Sequence, residues 1–360
     1  MRRRVSFSAS EEVASGRPQR RFCAVSDSVM RENSVLDPID KRIVRALQFD
    51  PRLPFSVVAD ELGVAEQTIA RRYRRLRRDG LVRVIGAVDA RAIGETEWIV
   101  RVRCRPEGAL QVAEALARRD DTAWVSLAGG GAEVVFSLHP RAQHAREDLL
   151  AQRLQRSAPV LDVSASMILH RFVGASPVDS RGRRLADPAA TPVAPGDTRI
   201  EDADRPLLDL LARDGRTSYA MLARSTGLSP GRVMRRIEAL QASGLLYFDL
   251  DIAPAALGTR LAALLWLTVT PAQLEPVAQA IVEHENTTYA AAITGPFNLI
   301  ATLSFGNTND LYRHMTTKLA DLTGIHTAEI SPVLRQLKQA GALMNGDRLA
   351  QPTPTRRRRR

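Results

Sequence analysis

Apolar positions in residues 36–94 recur at the spacing of short helices, and the same pattern returns in residues 200–258. Ile39, Ile43, Ala46 and Leu47 form one stripe, which predicts a helix over 36–49. Asp37 is placed to cap it, Pro38 fits its first turn, and Asp50-Pro51 ends it. A second helix over 55–62 turns Val58, Ala59 and Leu62 inward, and Gly63 supplies a turn. A third over 66–78 buries Ile69, Tyr73 and Leu76 and stops at Gly80. In the second copy the helices fall at 202–212, 219–225 and 230–242, with Gly227 at the turn. Asp40 matches Asp204, Gly63 matches Gly227, Arg72 matches Arg236 and Gly80 matches Gly244, always 164 residues apart, so the repeat is a duplication without insertion. A supporting helix followed by two short helices across a Gly turn defines a helix-turn-helix. The copies differ at the start of the third helix. Ser229 is a good N-cap ahead of Pro230, whereas Ala65 holds the matching place in the first copy, at a cost of about 1 kcal/mol.

Beyond each trihelical unit the period changes. Strand 98–104, helix 107–119, strands 122–127 and 133–138 around Gly129-Gly130-Gly131, helix 140–156 and strand 160–172 follow in the first copy. The second repeats the order: strand 261–270, helix 271–283, strands 287–294 and 298–305 around Gly295-Pro296, helix 308–322 and strand 325–334. This is the βαββαβ, ferredoxin-like plan. The fold class is therefore α+β: two winged-helix-like helix-turn-helix domains, each followed by a ferredoxin-like domain. Two helices cover one face of each sheet; the other face needs burial, and the sheet of the other copy is the expected cover. The boundaries read as a basic, disordered tail over 1–35, helix-turn-helix domains over 36–83 and 200–248, and ferredoxin-like effector and dimerisation domains over 84–173 and 249–340. A Pro-, Ala- and Arg-rich linker spans 174–199, and an Arg-rich tail spans 341–360. Met30, just ahead of the first ordered element, is an alternative translation start to Met1.

Composition narrows the function classes. The formal net charge is +11, carried almost wholly by arginine, since Lys41, Lys318 and Lys338 are the only lysines. An arginine excess points to a polyanionic partner only where it clusters. Cys23 and Cys104 cannot build a disulfide framework or a zinc site, and both read as reduced bystanders. The longest apolar run, 261–269, is too short to span a membrane, and 1–30 carries no apolar signal core, so a cytoplasmic protein is expected. The six histidines show no metal spacing, no nucleophile elbow or acid–base pair stands out, and no cofactor or enzyme activity is expected. Trp98, Trp124 and Trp266 read as core.

Charge does cluster on the third helix of the first copy, where Arg71, Arg72, Arg74, Arg75, Arg77 and Arg78 surround the apolar stripe. Like charges at i,i+3 and i,i+4 repel, and a phosphate backbone offsets that repulsion. The bland alternative is a solvated charged face in an Arg-biased chain. Helix-turn-helix geometry makes Glu66, Gln67, Thr68, Arg71 and Arg72 the expected base readers, with Arg75 and Arg78 nearer phosphates. Gly231, Arg232, Arg235 and Arg236 are the equivalents in the second copy.

With Ile69-x-x-Arg72-Tyr73-x-x-Leu76 and Gly80-Leu81 ahead of βαββαβ, the chain resembles the Lrp/AsnC family of transcriptional regulators, twice over. The resemblance implies double-stranded DNA as partner, an amino acid or similar small effector, and a dimer formed within one chain that can assemble further. It also implies an effector site near a Gly-x-x-Asp hairpin turn, which falls here on Gly130 and Glu133 and on Gly295 and Asn298. Both copies depart from Asp: Glu keeps a carboxylate and Asn loses it. Two other readings share the fold: a tetrapyrrole (siroheme-type) decarboxylase, which needs His and Arg turned into a cavity between the halves, and a small-molecule-binding oligomer with degenerate DNA-binding domains.

Overall fold

The computed structural model describes residues 34–139, 148–173 and 198–351. Nearly all of the N-terminal tail, both candidate starts, the beginning of the helix expected over 140–156, nearly all of the linker and residues 352–360 lie outside them.

The first head contains α1 (Pro38–Phe49), α2 (Phe55–Leu62) and α3 (Glu66–Arg78), each within two residues of its expected bounds. The Asp37 side chain accepts the amide of Asp40 and caps α1, and Gly63 takes the left-handed conformation that ends α2. At the end of α3 the Leu81 amide reaches back to the Leu76 carbonyl and Gly80 has φ +67°, a Schellman-type stop. Ile43, Leu47, Val58, Ile69, Tyr73 and Leu76 fill the core.

A strand that helical periodicity did not predict, β1 (Val82–Val88), follows directly. The first ferredoxin-like unit then runs through β2 (Trp98–Cys104), α4 (Pro106–Ala117), β3 (Thr122–Ala128), β4 (Glu133–Leu138) and β5 (Val160–Val173). The second head repeats the first as α5 (Arg205–Arg213), α6 (Tyr219–Thr226), α7 (Pro230–Ala242) and β6 (Leu246–Ile252). The second unit comprises β7 (Leu261–Val269), α8 (Leu274–Glu283), β8 (Thr287–Ile293), β9 (Leu299–Phe305), α9 (Thr308–Arg313) and β10 (Ile325–Gln339).

β1 and β6 pair with each other, antiparallel, and Ile85 lies opposite Asp249, its own duplicate. A two-stranded ribbon is marginal alone. Here each head packs onto it, with Leu250 in the first head's core and Phe248 in the second's. The heads also clasp one another reciprocally. Arg216 donates to the carbonyls of Pro51 and Leu53 at 2.7 and 2.9 Å and stacks over Phe55, while Arg52, its counterpart, stacks over Tyr219.

The other strands close on themselves in the order β3-β4-β2-β5-β8-β9-β7-β10 and back to β3, all antiparallel. The last strand of each unit pairs within its own half and across: β5 with β2 and β8, β10 with β7 and β3. Closure leaves these eight strands without an edge. Ile99, Val135, Leu264, Trp266, Ile293 and Ile300 from both sheets pack together inside, so each otherwise bare face is covered by the other copy. The expected tail is structured at its start: β11 (Ala342–Asn345) and β12 (Arg348–Leu349) continue the sheet beyond β10. Cys104 is buried in β2, and burial pushes its thiol up.

Candidate nucleic-acid interface and interdomain cavity

The arginines of α3 do not form one free face. Arg72 turns back onto α1, where it meets Asp37 and, at 3.0 Å, the buried carboxylate of Asp40. Arg75 joins the same carboxylate. Hydrogen bonds to Asp37 and Asp40 raise the Arg72 guanidinium, and buried Asp40 needs a partner far more than solvent-facing DNA contacts need Arg72. Arg77 crosses to the second head and pairs with Asp214 at 2.7 Å. Arg78 pairs with its neighbour Asp79, and Arg74 donates to the Ala70 carbonyl. Arg71 is exposed and has no ion pair among the described residues. Glu66 and Gln67 are exposed beside it and Thr68 is half-buried.

The second head repeats the division. Arg236 holds the buried Asp204 through two hydrogen bonds of 2.8 and 2.6 Å. Gly231, Arg232 and Arg235 are exposed, the two arginines without an ion pair among the described residues. The Ser229 hydroxyl accepts the Arg232 amide, whereas Ala65 provides no such acceptor to α3. Each copy therefore spends its Arg72-type residue on pinning the third helix to the first, and leaves its Arg71-type residue (Arg71, Arg235) facing out. Sequence spacing could not separate these roles, because Arg71 and Arg72 differ only in which side of α3 they occupy.

Between the sheets lies a cavity of about 590 Å³ lined by Arg101, Arg103, Glu133, Trp266, Phe297 and Glu329, among others. Arg101 is its centre. It ion-pairs with Glu133 at 2.8 Å and with Glu329, and its guanidinium stacks over Trp266. Burial alone would lower Arg101; the hydrogen bonds of Glu329 and Glu133 outweigh it and raise it. Of the expected effector residues, only Glu133 lines the cavity. Gly130 is exposed on the neighbouring turn with φ +69°. Asn298 is used internally, its side chain bridging the N–H and carbonyl of Val269 at 2.8 and 2.7 Å. A side chain at Gly295 would press on Ser166. Arg101, Glu329 and Trp266 escaped the sequence reading because strand alternation does not reveal what faces a partner sheet. Trp266 is buried as expected, yet it also lines the cavity, and its indole N–H has no acceptor among the described residues. Trp124, expected in the core, is exposed on β3.

None of the described histidines lines the cavity; His144 lies outside the described residues. His139 pairs with Glu97 at 3.0 Å, and Arg171 meets the same carboxylate. His284 and His314 meet edge to face, and burial first, then His284, lowers His314 to about 4. No group of three or more potential metal-binding residues is present among the described residues.

Two winged heads on one shared ribbon, with two βαββαβ sheets closed into one barrel, define a helix-turn-helix protein of two matched halves. The AsnC-type helix-turn-helix domain matches residues 36–77 and 200–241, and the Lrp/AsnC ligand binding domain matches 262–343. LrpA of Pyrococcus abyssi is 25% identical over 140 residues, 39% of this chain and 99% of LrpA. AsnC of Escherichia coli K12 is 26% identical over 146 residues, 39% of this chain and 96% of AsnC. Each relative thus corresponds to one repeat. The chain carries two AsnC-type helix-turn-helix domains and an Lrp/AsnC ligand binding domain, in a tandem duplication. In fold it is also similar to the siroheme decarboxylase NirDL, solved with an iron-uroporphyrin III analogue, with a TM-score of 0.59 over 84% of this chain and 93% of that one at 15% identity. No helix among the described residues is long and apolar enough to cross a membrane.

Proposed function

We propose that this chain is a sequence-specific regulator of transcription, acting in the cytoplasm, whose two heads engage one duplex together and whose barrel cavity takes a small amine-bearing effector. The observation that carries the reading is the reciprocal mounting of the heads: α3 and α7 sit about one ribbon, each with an unpaired outward arginine, Arg71 and Arg235. Arg71 and Arg235 read base edges or phosphates, with Gln67, Thr68, Glu66, Gly231 and Arg232 beside them. Because α3 and α7 present different residues there, the half-sites differ, and a footprint on a selected genomic fragment is expected to lack perfect palindromy. The pairing within the chain stands in for a homodimer, and the exposed Trp124 face is available for assembly beyond it.

Replacing Arg71 or Arg235 by Ala is expected to weaken binding to the selected fragment by roughly 1–3 kcal/mol, as for loss of a bidentate base contact. Fluorescence anisotropy at fixed salt measures it. Unchanged affinity in both variants would leave the heads without a DNA role and favour the reading with degenerate DNA-binding domains.

In the cavity, carboxylates outnumber guanidinium groups: Glu133, Glu329 and Asp162 face Arg101 and Arg103. That balance favours an ammonium group, and Trp266 adds an aromatic face and an indole N–H without a partner. An amino acid fits this chemistry. The fold shared with NirDL supports a second reading, tetrapyrrole decarboxylation. The cavity opposes it: its lining holds no histidine among the described residues, and its three carboxylates repel a polycarboxylate macrocycle. A purified protein that is colourless and takes up no added iron-uroporphyrin would be inconsistent with that enzyme activity.

A further inference from the structure

The two heads grip each other through duplicate residues, Arg52 and Arg216, each set in the turn between the first and second helices of its head. Arg216 is the stronger half. Its two terminal nitrogens donate to the Pro51 and Leu53 carbonyls of the first head, and its guanidinium lies 4.1 Å from the centre of the Phe55 ring. Arg52 lies over the rings of Tyr219 and Phe248, 4.9 Å from each centre. One of its terminal nitrogens is buried without a hydrogen-bond partner among the described residues. A third arginine, Arg77 of α3, crosses to Asp214 at 2.7 Å, and the other oxygen of that carboxylate accepts the Arg216 amide at 3.0 Å. The reverse ion pair cannot form, because Gln241 stands in α7 where Arg77 stands in α3. Beneath this clasp the packing is tight. The Gly215 amide donates to the Val84 carbonyl at 2.8 Å, and a Cβ on Gly215 would lie 2.8 Å from the Val84 side chain. The second head is thus pressed against the strand of the first.

By itself a two-stranded ribbon is a weak and strongly twisted mount. The three arginines make a second connection, and each is exacting in geometry: a planar fork on two carbonyls, a cation over aromatic faces, and an ion pair from α3 itself. Two connections remove the hinge that one alone would leave. None of the three arginines is fully exposed, in contrast to Arg71 and Arg235. Resting on the DNA-binding reading above, we infer that Arg52, Arg216 and Arg77 are positioning residues, which fix the separation and rotational phase of α3 and α7 so that the chain accepts its two half-sites at one spacing only. DNA makes this a sharp criterion. Each added base pair moves the far half-site by about 3.4 Å and turns it by about 35°. A rigid pair of heads cannot follow, and one head then loses its contacts. Arg216 carries most of the effect, since its removal leaves the Pro51 and Leu53 carbonyls without their donor, whereas Arg52 contributes stacking.

Four full-length proteins test this: the natural chain, Arg216→Ala, Arg52→Ala and Arg77→Gln, the last copying the second head. A genomic fragment selected by the natural chain is footprinted, and a single base pair is inserted between its two protected segments. Fluorescence anisotropy gives the affinity for each fragment. The natural chain is expected to bind the lengthened fragment about tenfold more weakly or worse, as for loss of one head's base contacts. Arg216→Ala is expected to lose roughly threefold or less, because a flexible joint pays only a slowly growing entropy for reach. Arg77→Gln and Arg52→Ala fall between. The ratio of the two affinities is the readout, since a variant that merely folds less well loses the same factor on both fragments. Inserting about ten base pairs restores the phase but not the separation, so the natural chain is expected to regain nothing. A natural chain that binds both spacings equally overturns the inference, as does an Arg216→Ala protein with the natural spacing preference. Should Arg216→Ala bind neither fragment, the other two variants decide, and the natural preference in both overturns it. If the natural chain selects no fragment, the DNA-binding reading itself fails and this inference falls with it. If it binds but ignores spacing, only the inference is lost.

Discussion

The two heads share one plan and differ in how each is secured. In the first, α3 has an uncapped start, two arginines on the Asp37–Asp40 pair, a third on Asp214 of the other head, and a hairpin across its end. In the second, α7 has a serine cap, one arginine on Asp204 and an open end. Duplication copied the framework, and divergence then redistributed the charges. Head one relies on tertiary contacts for the stability that head two draws from local ones. The barrel shows the same divergence. Arg101 and Trp266 occupy equivalent places on β2 and β7, opposite Val135 and Ile300, and two like sites have become one site with a charged side and an aromatic side.

The largest difference between the heads is expected at their buried aspartates. Asp40→Ala takes the buried carboxylate from two guanidinium groups and leaves them only the more exposed Asp37, and it is expected to destabilise the first head by roughly 3 kcal/mol. Asp204→Ala releases only one, with a smaller loss, and hydrogen exchange of α1 against α5 reads both. Next come the glycines after the recognition helices. Gly80→Ala and Gly244→Ala both pay for a left-handed residue, about 1 kcal/mol, but only the first also displaces the hairpin. A cost of about 2–3 kcal/mol for Gly80→Ala by thermal melting, with new proteolysis after β10, is the expected outcome.

Acid titration separates two carboxylates of opposite sign. Burial would raise Glu97, but the His139 hydrogen bond and the Arg171 charge outweigh it and hold the group at about 2. Its stabilisation is present above the usual value of 4.5 and is lost as pH falls from there towards 2. Burial pushes Asp251 up to about 6 despite Arg83 and Gln339, so its ionisation costs the folded state, and stability declines as pH rises from about 4 to about 6. Glu97→Gln should flatten the limb below pH 4.5, and Asp251→Asn the slope between 4 and 6, each amounting to roughly 2 kcal/mol in urea melts across pH. The smallest effect belongs to the caps. Ser229→Ala is expected to cost about 1 kcal/mol, and Ala65→Ser to gain less than that, because α3 is already held at its other end.

Much of the architecture was legible because its causes are local. Stripes at helical spacing placed α1, α2 and α3, alternation placed β2, and Gly63, Gly80 and Gly227 marked turns that need positive φ. The uniform repeat revealed two copies, and the need to bury a sheet face correctly named the other copy as its cover. What stayed hidden depends on partners far away in the chain. β1 has no strand partner until β6 arrives, and the 342–349 hairpin, short on its own, gains its seat only when Gly80 and Asp79 are in place.

For the candidate site, sequence alone determined which helices carry the arginines and that two such helices exist, since periodicity fixes which residues a helix exposes. Tertiary structure decided which arginines are free. Arg72 and Arg236 go to buried carboxylates because leaving those charges unpaired costs more than any contact with solvent returns, and only the folded heads bring Asp40 and Asp204 within reach. It also decided where the cavity lies. Glu329 and Trp266 are cross-strand neighbours on β10 and β7, and Arg101 of β2 meets them only because the closing of the barrel brings the two sheets face to face.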